Sequence, residues 1–525
     1  MKTSFHSNSK NYQRIILPVL IFLIIGGTIF YNLLYYKFIR IDPDEGVLIA
    51  DAEKILDEPF PYLKFNLHMP GRYYLLALFY KLFGRSVATE RIMFIFIHCL
   101  NNILLFFLSR KLLPDFLSLF PSLLLLLVPG YWFKAFFALF ILLNLMSIFF
   151  YLENPSKKIL FLSGVIVGIS FWFRIDCAGY AGLAFFIVIA LRTLRLKLPF
   201  KEMISNFLIL SGPIIMIIAC LFFIYLLKDE LYIPLKIIIN DIKVAQLQSP
   251  SLPGPGEMFK GPFRLRGKCA SLFFVYSSFL ALFLAAIMSI KELLKTRSEL
   301  INWHLIASFL LAGLSFTHIW KWTSIFRLPQ SGALIHLLWF YLIYICLKQR
   351  PRRIIIRQPL IIVFLIFALL VQIYFVYFSF YGPPKVIQDA SSLPQRFGDH
   401  LPLKSPKGKI SPPSRQAFAL NRLCTLIERR TKPTDTIFCF GESVLYFLAN
   451  RRNATDFTNM MNMIVDDELK AKLTQQLILN SPKIIICRNF EYNYFYPYLK
   501  DVFELISGRY RPLKNVANYK VYIIK

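Results

Sequence analysis

Three carboxylates fall within four residues in Ile41-Asp42-Pro43-Asp44-Glu45-Gly46. Clustered Asp and Glu side chains can take a proton from an attacking hydroxyl or ligate a cation. The same residues also suit a helix start, because Asp and Glu favour a first turn and Pro its first position. The helix so opened would run from Gly46 to Ile55 and stop near Pro59. Capping and chemistry are compatible, since one carboxylate can hold the turn while its neighbour faces a substrate. A second polar cluster follows at Phe60-Pro61-Tyr62 and at His68-Met69-Pro70-Gly71-Arg72-Tyr73-Tyr74. After it, Leu75–Phe83 with Lys81 is apolar but too short to cross a bilayer. That length suits a helix lying in the membrane interface.

The elements that hold these clusters are membrane spans. Of 525 residues, 56% are hydrophobic and 17% charged, and the mean hydropathy is +0.54. Soluble domains carry about 25% charge, so a soluble enzyme, a disordered chain, a fibre and a secreted disulfide scaffold are excluded. The eight Cys stand singly, without metal-ligand spacing, and read as core filling. Apolar runs predict eleven spans, near 15–36, 88–108, 115–129, 132–152, 159–175, 177–192, 204–227, 269–290, 300–317, 325–347 and 359–381. The first follows a short basic start, lacks a cleavage site and reads as a retained helix.

The net charge of +30 would suit nucleic acid, but its distribution fits topology better. With the N-terminus in the cytoplasm, every short inner connection is basic, ending with Lys348, Arg350, Arg352, Arg353 and Arg357, as the positive-inside bias requires. The odd count then sends residues 382–525 to the outer face. It places the loops 38–87 and 228–268 there too, the latter carrying the turn-rich run Ser249–Gly256. The expected organisation is a transmembrane module over 1–381 and an extracytoplasmic α/β domain over 382–525. In the tail, helices are predicted at Arg415–Arg430, Ser443–Asn450 and Asp466–Leu479. Strands are predicted at Thr436–Phe440, Lys483–Cys487 and Tyr519–Ile524.

The order of these features resembles a known family. A first span, an Asp-Glu pair, Phe60-Pro61-Tyr62, the Pro70-Gly71-Arg72-Tyr73-Tyr74 turn, a short helix ending Phe83-Gly84 and then Arg91 resemble the GT-C fold glycosyltransferases. The similarity is to the protein O-mannosyltransferase and lipid A aminoarabinose transferase group in particular. Gly164-Val165-Ile166-Val167-Gly168 with Phe173-Arg174-Ile175-Asp176 is similar to the family's Gly-rich fifth span and outer Arg. Leu445–Arg452 is similar to a Tyr-Phe-Leu-x-x-Arg-Arg segment of its outer domain.

The resemblance implies a mainly α, polytopic membrane enzyme that moves a sugar from a polyprenyl-phosphate donor to a glycan, lipid or protein acceptor. The expected place is the outer face of a bacterial plasma membrane. Asp44 takes the position of the family's first-loop Asp, which implies the base for the acceptor hydroxyl; metal coordination would be its second task. Glu45 is the supporting carboxylate and Asp42 a third. The departing lipid phosphate needs cationic neighbours, for which the resemblance nominates His68, Arg72, Arg174 with Asp176, Lys321 and Arg327. Arg174 and Asp176 also make sense as a membrane-edge ion pair, and Trp320 and Trp322 beside Lys321 as an interfacial belt. His68 and Arg72 read equally as a solvated loop residue and an interfacial anchor.

Two departures stand out. The second outer loop, Val128–Lys134, lacks the acidic residue that relatives often carry, so no divalent cation is assigned. His68-Met69-Pro70 replaces the Lys-Pro-Pro element of the aminoarabinose subgroup. Two other classes compete: a transporter or flippase for lipid-linked sugars, and a non-catalytic envelope scaffold. The chain shows neither internal repeats nor midplane charges of the transporter kind, and a scaffold has no need of the Asp-Glu loop.

Overall fold

In the computed structural model, among the described residues, helix follows helix from Ser4 to Lys348 and the strands of a mixed sheet begin at Thr436. The structure describes residues 4–34, 36–57, 70–127, 134–227, 235–236, 239–240, 243, 266–295, 301–321, 328–348, 366, 400–458, 460 and 464–525. The helices before the tail are α1 (Ser4–Leu33), α2 (Pro43–Asp57), α3 (Gly71–Phe83), α4 (Val87–Arg110), α5 (Leu119–Leu127) and α6 (Ala135–Glu153). They continue as α7 (Lys157–Phe173), α8 (Ile175–Arg195), α9 (Phe200–Leu226), α10 (Arg266–Leu293), α11 (Trp303–Lys321) and α12 (Leu328–Lys348).

A helix thus lies in ten of the eleven predicted apolar runs; the run 359–381, residue 366 apart, and the turn-rich Ser249–Gly256 fall outside the described residues. Among the described residues six helices are long and apolar enough to cross a membrane, with shorter apolar helices at Trp303–Thr317 and Gly332–Lys348.

Contacts divide the chain into two units. The first takes Met1–Asn32, Phe94–Ala219 and Pro250–Ser391; the second takes Leu33–Met93, Cys220–Ser249 and Ser392–Lys525. The contacts therefore group the first loop with the tail, whereas the sequence reading placed a boundary only near residue 381.

In the helical unit α6 is packed on α7, α8, α11 and α12. Apolar side chains alone give no helix-to-helix specificity in lipid, so small and polar residues set the seams. Gly164 is one such point: a Cβ there would meet the Leu210 carbonyl oxygen at 2.3 Å and Pro213 at 2.6 Å. Gly168, one turn on, has the Ile217 side chain at 2.8 Å from that position. The Gly-x-x-x-Gly run of α7 is the face on which α9 rests. Asn144 at the heart of α6 donates to the Phe140 carbonyl at 2.7 Å and to Ser170 Oγ of α7 at 2.9 Å.

The second unit carries the sheet. Its elements are α13 (Ser414–Arg430), β1 (Thr436–Phe440), α14 (Val444–Leu448), β2 (Arg452–Asn453), α15 (Asp467–Asn480) and β3 (Ile484–Arg488). Then follow α16 (Asn489–Phe495), α17 (Lys500–Arg509), β4 (Tyr510–Val516) and β5 (Tyr519–Ile524). Strand order is β2-β1-β3-β5-β4. β1 runs parallel to β2 and β3, and β5 runs antiparallel to β3 and β4. β1 and β3 read as continuous apolar runs because both faces are covered. Phe438, Phe440, Ile485 and Cys487 meet Leu473, Leu477, Phe503 and Ile506 in one core.

The three predicted strands are present, and the short β2 and β4 are added to them. Tyr510-Arg511-Pro512-Leu513-Lys514 hides its strand character, because Pro and basic residues belong to an edge and a register shift falls between Pro512 and Lys514. The Leu445–Arg452 segment is a packing latch. Tyr446 OH accepts from the Cys439 backbone N–H at 2.7 Å, and Arg451 donates to Thr431 Oγ1 at 2.8 Å and to its carbonyl at 3.1 Å.

Candidate active site

The acidic loop folds as a capping box at the head of α2. Asp42 is the cap: its Oδ1 accepts from the Asp44 N–H at 3.0 Å, and its carbonyl accepts from the Gly46 N–H at 2.9 Å. Glu45 reaches back, its Oε2 accepting from the Asp42 N–H at 3.1 Å. Pro43 sits between them in the first helical position, where its missing N–H costs nothing. The sequence Asp-Pro-Asp-Glu therefore satisfies orphan donors of the helix start reciprocally.

Glu45 has a second partner. Its Oε1 accepts from Arg91 Nε at 3.0 Å, in a pair with side-chain exposures of 6% and 2%. Arg91 Nη1 also donates to the Tyr36 carbonyl, so one guanidinium ties α4 to α2 and to the segment before it. Both Glu45 oxygens are thus used inside the protein. Asp44, one residue earlier, lies on the exposed side of the same turn. The turn holds two carboxylates in different settings: Glu45 as scaffold, Asp44 facing outward.

Further along α2, Asp51 is buried and accepts from Thr458 Oγ1 with Oδ1 at 2.9 Å and Oδ2 at 2.8 Å. Burial pushes its carboxyl above the ordinary range, against the opposing pull of Lys54, the Thr458 hydroxyl and Arg72. Arg72, at the start of α3, donates to Tyr73 OH at 2.6 Å, and its guanidinium lies 4.7 Å from the Tyr73 ring centre. On α3, Tyr73, Leu76, Ala77 and Tyr80 are buried while Leu78, Leu82 and Phe83 are exposed. An apolar exposed face is what an interfacial helix presents.

The helical unit holds the other nominated cation. Arg174, between α7 and α8, forms a fork with Asp176: Nε donates to Oδ1 at 3.0 Å and Nη2 to Oδ2 at 2.5 Å. Its guanidinium also rests 5.0 Å from the Phe137 ring centre. Asp176 Oδ1 in addition accepts from the Cys177 N–H at 2.9 Å, which satisfies one of the orphan donors in the first turn of α8. Here the ion-pair reading is realised in the geometry. His68 and Arg327 lie outside the described residues, as does the side chain of Lys321, which closes α11.

Among the described residues no group of three or more His, Cys, Asp or Glu side chains could hold a metal ion.

Sequence reasoning named Arg91 as a landmark without giving it a partner. The available signal was Glu90-Arg91 beside an apolar run, because ionisable residues there are costly and need pairing. Asp51, Thr458 and the tail residue Gln416 gave no such signal.

No family model and no curated protein matches the sequence. Solved structures do match. ArnT from Cupriavidus metallidurans bound to undecaprenyl phosphate aligns with a TM-score of 0.52 at 11% identity, covering 96% of this chain and 97% of that one. The archaeal oligosaccharyltransferase AglB from Archaeoglobus fulgidus, in complex with an inhibitory peptide and a dolichol-phosphate, aligns with a TM-score of 0.51 at 10% identity. That alignment covers 98% of this chain and 75% of that one. At such identities the likeness concerns architecture, and it extends over nearly the whole chain. The protein is a multi-pass membrane protein with the GT-C fold of the membrane glycosyltransferases.

Proposed function

We propose that this protein is a membrane glycosyltransferase that moves a sugar from a polyprenyl phosphate to an acceptor at the outer face of the membrane. The observation that carries the reading is the Asp42–Glu45 turn. A GT-C chain places an exposed Asp44 on a helix start whose neighbouring carboxylate is already used by Arg91 and a backbone N–H. That both compared structures hold a polyprenyl-type phosphate supports a donor of this class here.

In this reaction the bond from the anomeric carbon to the phosphate oxygen breaks, and a bond from that carbon to the acceptor oxygen forms. The acceptor proton goes to Asp44, and the polyprenyl phosphate leaves with the electron pair. Charge builds on the departing phosphate, where Arg72, Arg174, Lys321, Arg327 and His68 are the cations that would stabilise it. Asp176 sets the direction of the Arg174 fork. The positive-inside distribution supports eleven spans, an inner N-terminus and an outer tail, with the division near residue 381.

Mass spectrometry of envelope glycans and glycolipids in a deletion strain tests the reading. The strain is complemented with wild type or with Asp44→Asn at matched membrane abundance. A discrete sugar mass that returns only with wild type supports transfer and identifies the acceptor. Full restoration by Asp44→Asn removes Asp44 as the base and favours transport or scaffolding.

A further inference from the structure

The described residues of the segment that leads into the acidic turn form no helix or strand of their own: α1 ends at Leu33 and α2 begins at Pro43. Its last residue, Ile41, is fully buried, so its peptide groups must find partners inside the protein. Both partners come from one side chain 375 residues away. The Ile41 N–H donates to Gln416 Oε1 at 3.0 Å, and Gln416 Nε2 donates to the Ile41 carbonyl at 2.8 Å. A primary amide carries a donor and an acceptor on one planar head, so Gln416 replaces the peptide that a neighbouring strand would supply. Asn is one methylene shorter, ionised Glu has no donor and Leu has neither.

The next residue, Asp42, is the cap that fixes the Asp44 N–H. One peptide therefore separates the Gln416 contact from the cap, and only Pro43 lies between the cap and Asp44. Two further contacts support the same stretch. The Ser411 N–H donates to the Lys37 carbonyl at 2.8 Å. Gly46 packs so closely that a Cβ would lie 3.0 Å from the Val444 backbone nitrogen. These contacts bear on the turn before and after Asp44, and Gln416 is the tail side chain bonded to the residue that precedes the cap.

We infer that Gln416, on tail helix α13, is a positioning residue for Asp44: it fixes the Ile41 peptide and, through the Asp42 cap, the place of the proposed base. This rests on the transferase reading above and gives the tail a role in the reaction that needs no substrate contact. A misplacement of about 1 Å can cost on the order of a hundredfold in rate, so a lost peptide clamp registers in turnover before it registers in binding.

The test uses full-length protein in detergent, with lipid extracted from deletion-strain membranes as donor probe and those membranes as acceptor. Wild type, Gln416→Leu, Gln416→Glu and Asp44→Asn are compared over a dilution series of the extract. The expected result is a maximal rate at least tenfold lower for Gln416→Leu, with the half-saturating amount of extract changed less than twofold. Faster amide exchange over residues 37–45 accompanies it. Gln416→Glu keeps the stem but replaces the donor to the Ile41 carbonyl by an acceptor and adds a charge; a loss of at least threefold is expected, and it serves alone where Gln416→Leu does not accumulate. Wild-type rates in the Gln416 variants beside an inactive Asp44→Asn overturn the inference and leave the transferase reading standing. An active Asp44→Asn overturns the reading itself.

Discussion

Glu45 and Glu442 are both nearly sealed from solvent, at 5% and 2% exposure, yet they live differently. Glu45 is met by the Arg91 guanidinium on one oxygen and by the Asp42 N–H on the other. Glu442, two residues past the end of β1, takes a hydrogen bond from Tyr519 OH on Oε2, while Oε1 has no hydrogen-bond partner among the described residues. Burial pushes the Glu442 carboxyl up to about 7, against the pull of Tyr519 and Arg488. A buried carboxylate with a cation and a peptide donor becomes a fixed strut. One without a contacting cation holds its proton toward neutrality and makes its surroundings sensitive to pH. The acidic turn is built in the first way, which lets it hold a neighbouring Asp in place.

Removing the cation from the first site gives the largest expected effect. Arg91→Met leaves Glu45 buried without its charge partner, a change that costs about 3–5 kcal/mol. The thermal midpoint and membrane abundance of the full chain should fall, and transfer should fall with them. A stable, active Arg91→Met would break the contrast, because Glu45 would then need no partner.

Removing the carboxyl from the second site comes next. Folded Glu442 holds its proton to about pH 7, whereas the ordinary value is 4.5. The folded chain therefore binds more protons through that window. Its contribution to stability is complete below pH 4.5 and is lost as pH rises to 7. The loss is on the order of 3 kcal/mol. Glu442→Gln should flatten the pH dependence of the thermal midpoint between those values; an unchanged slope would contradict the account.

The smallest expected effect separates the Arg174 fork from the turn. Arg174→Gln should raise the half-saturating donor about tenfold, the scale of one charged hydrogen bond, while Asp176→Asn should change it less. Equal losses of thermal stability in both variants, with donor saturation unmoved, would make the pair a structural strut like Glu45 and Arg91.

Much of this was legible in the chain. Asp-Pro-Asp-Glu announces a helix start because the cap, Pro and Glu positions are local in sequence, and α2 begins at Pro43. The apolar runs of β1 and β3 are equally local. What stayed hidden depends on partners far away. Arg91 meets Glu45 across 46 residues, and Gln416 meets Ile41 across 375. No periodicity links such positions. The Gly164–Gly168 run was read as a family signature, and its local cause is the close approach of α9. β4 escaped because an edge strand is made of the residues that usually argue against a strand.

The central claim is that Asp44 takes the acceptor proton on a turn that other residues hold still. Its most direct test is the transfer rate of purified Asp44→Asn, with thermal midpoint and Arg91-dependent stability measured on the same samples. A rate reduced by about 10²–10⁴, the range for a general base, in a protein as stable as wild type is the predicted result. A rate equal to wild type at equal stability would contradict it.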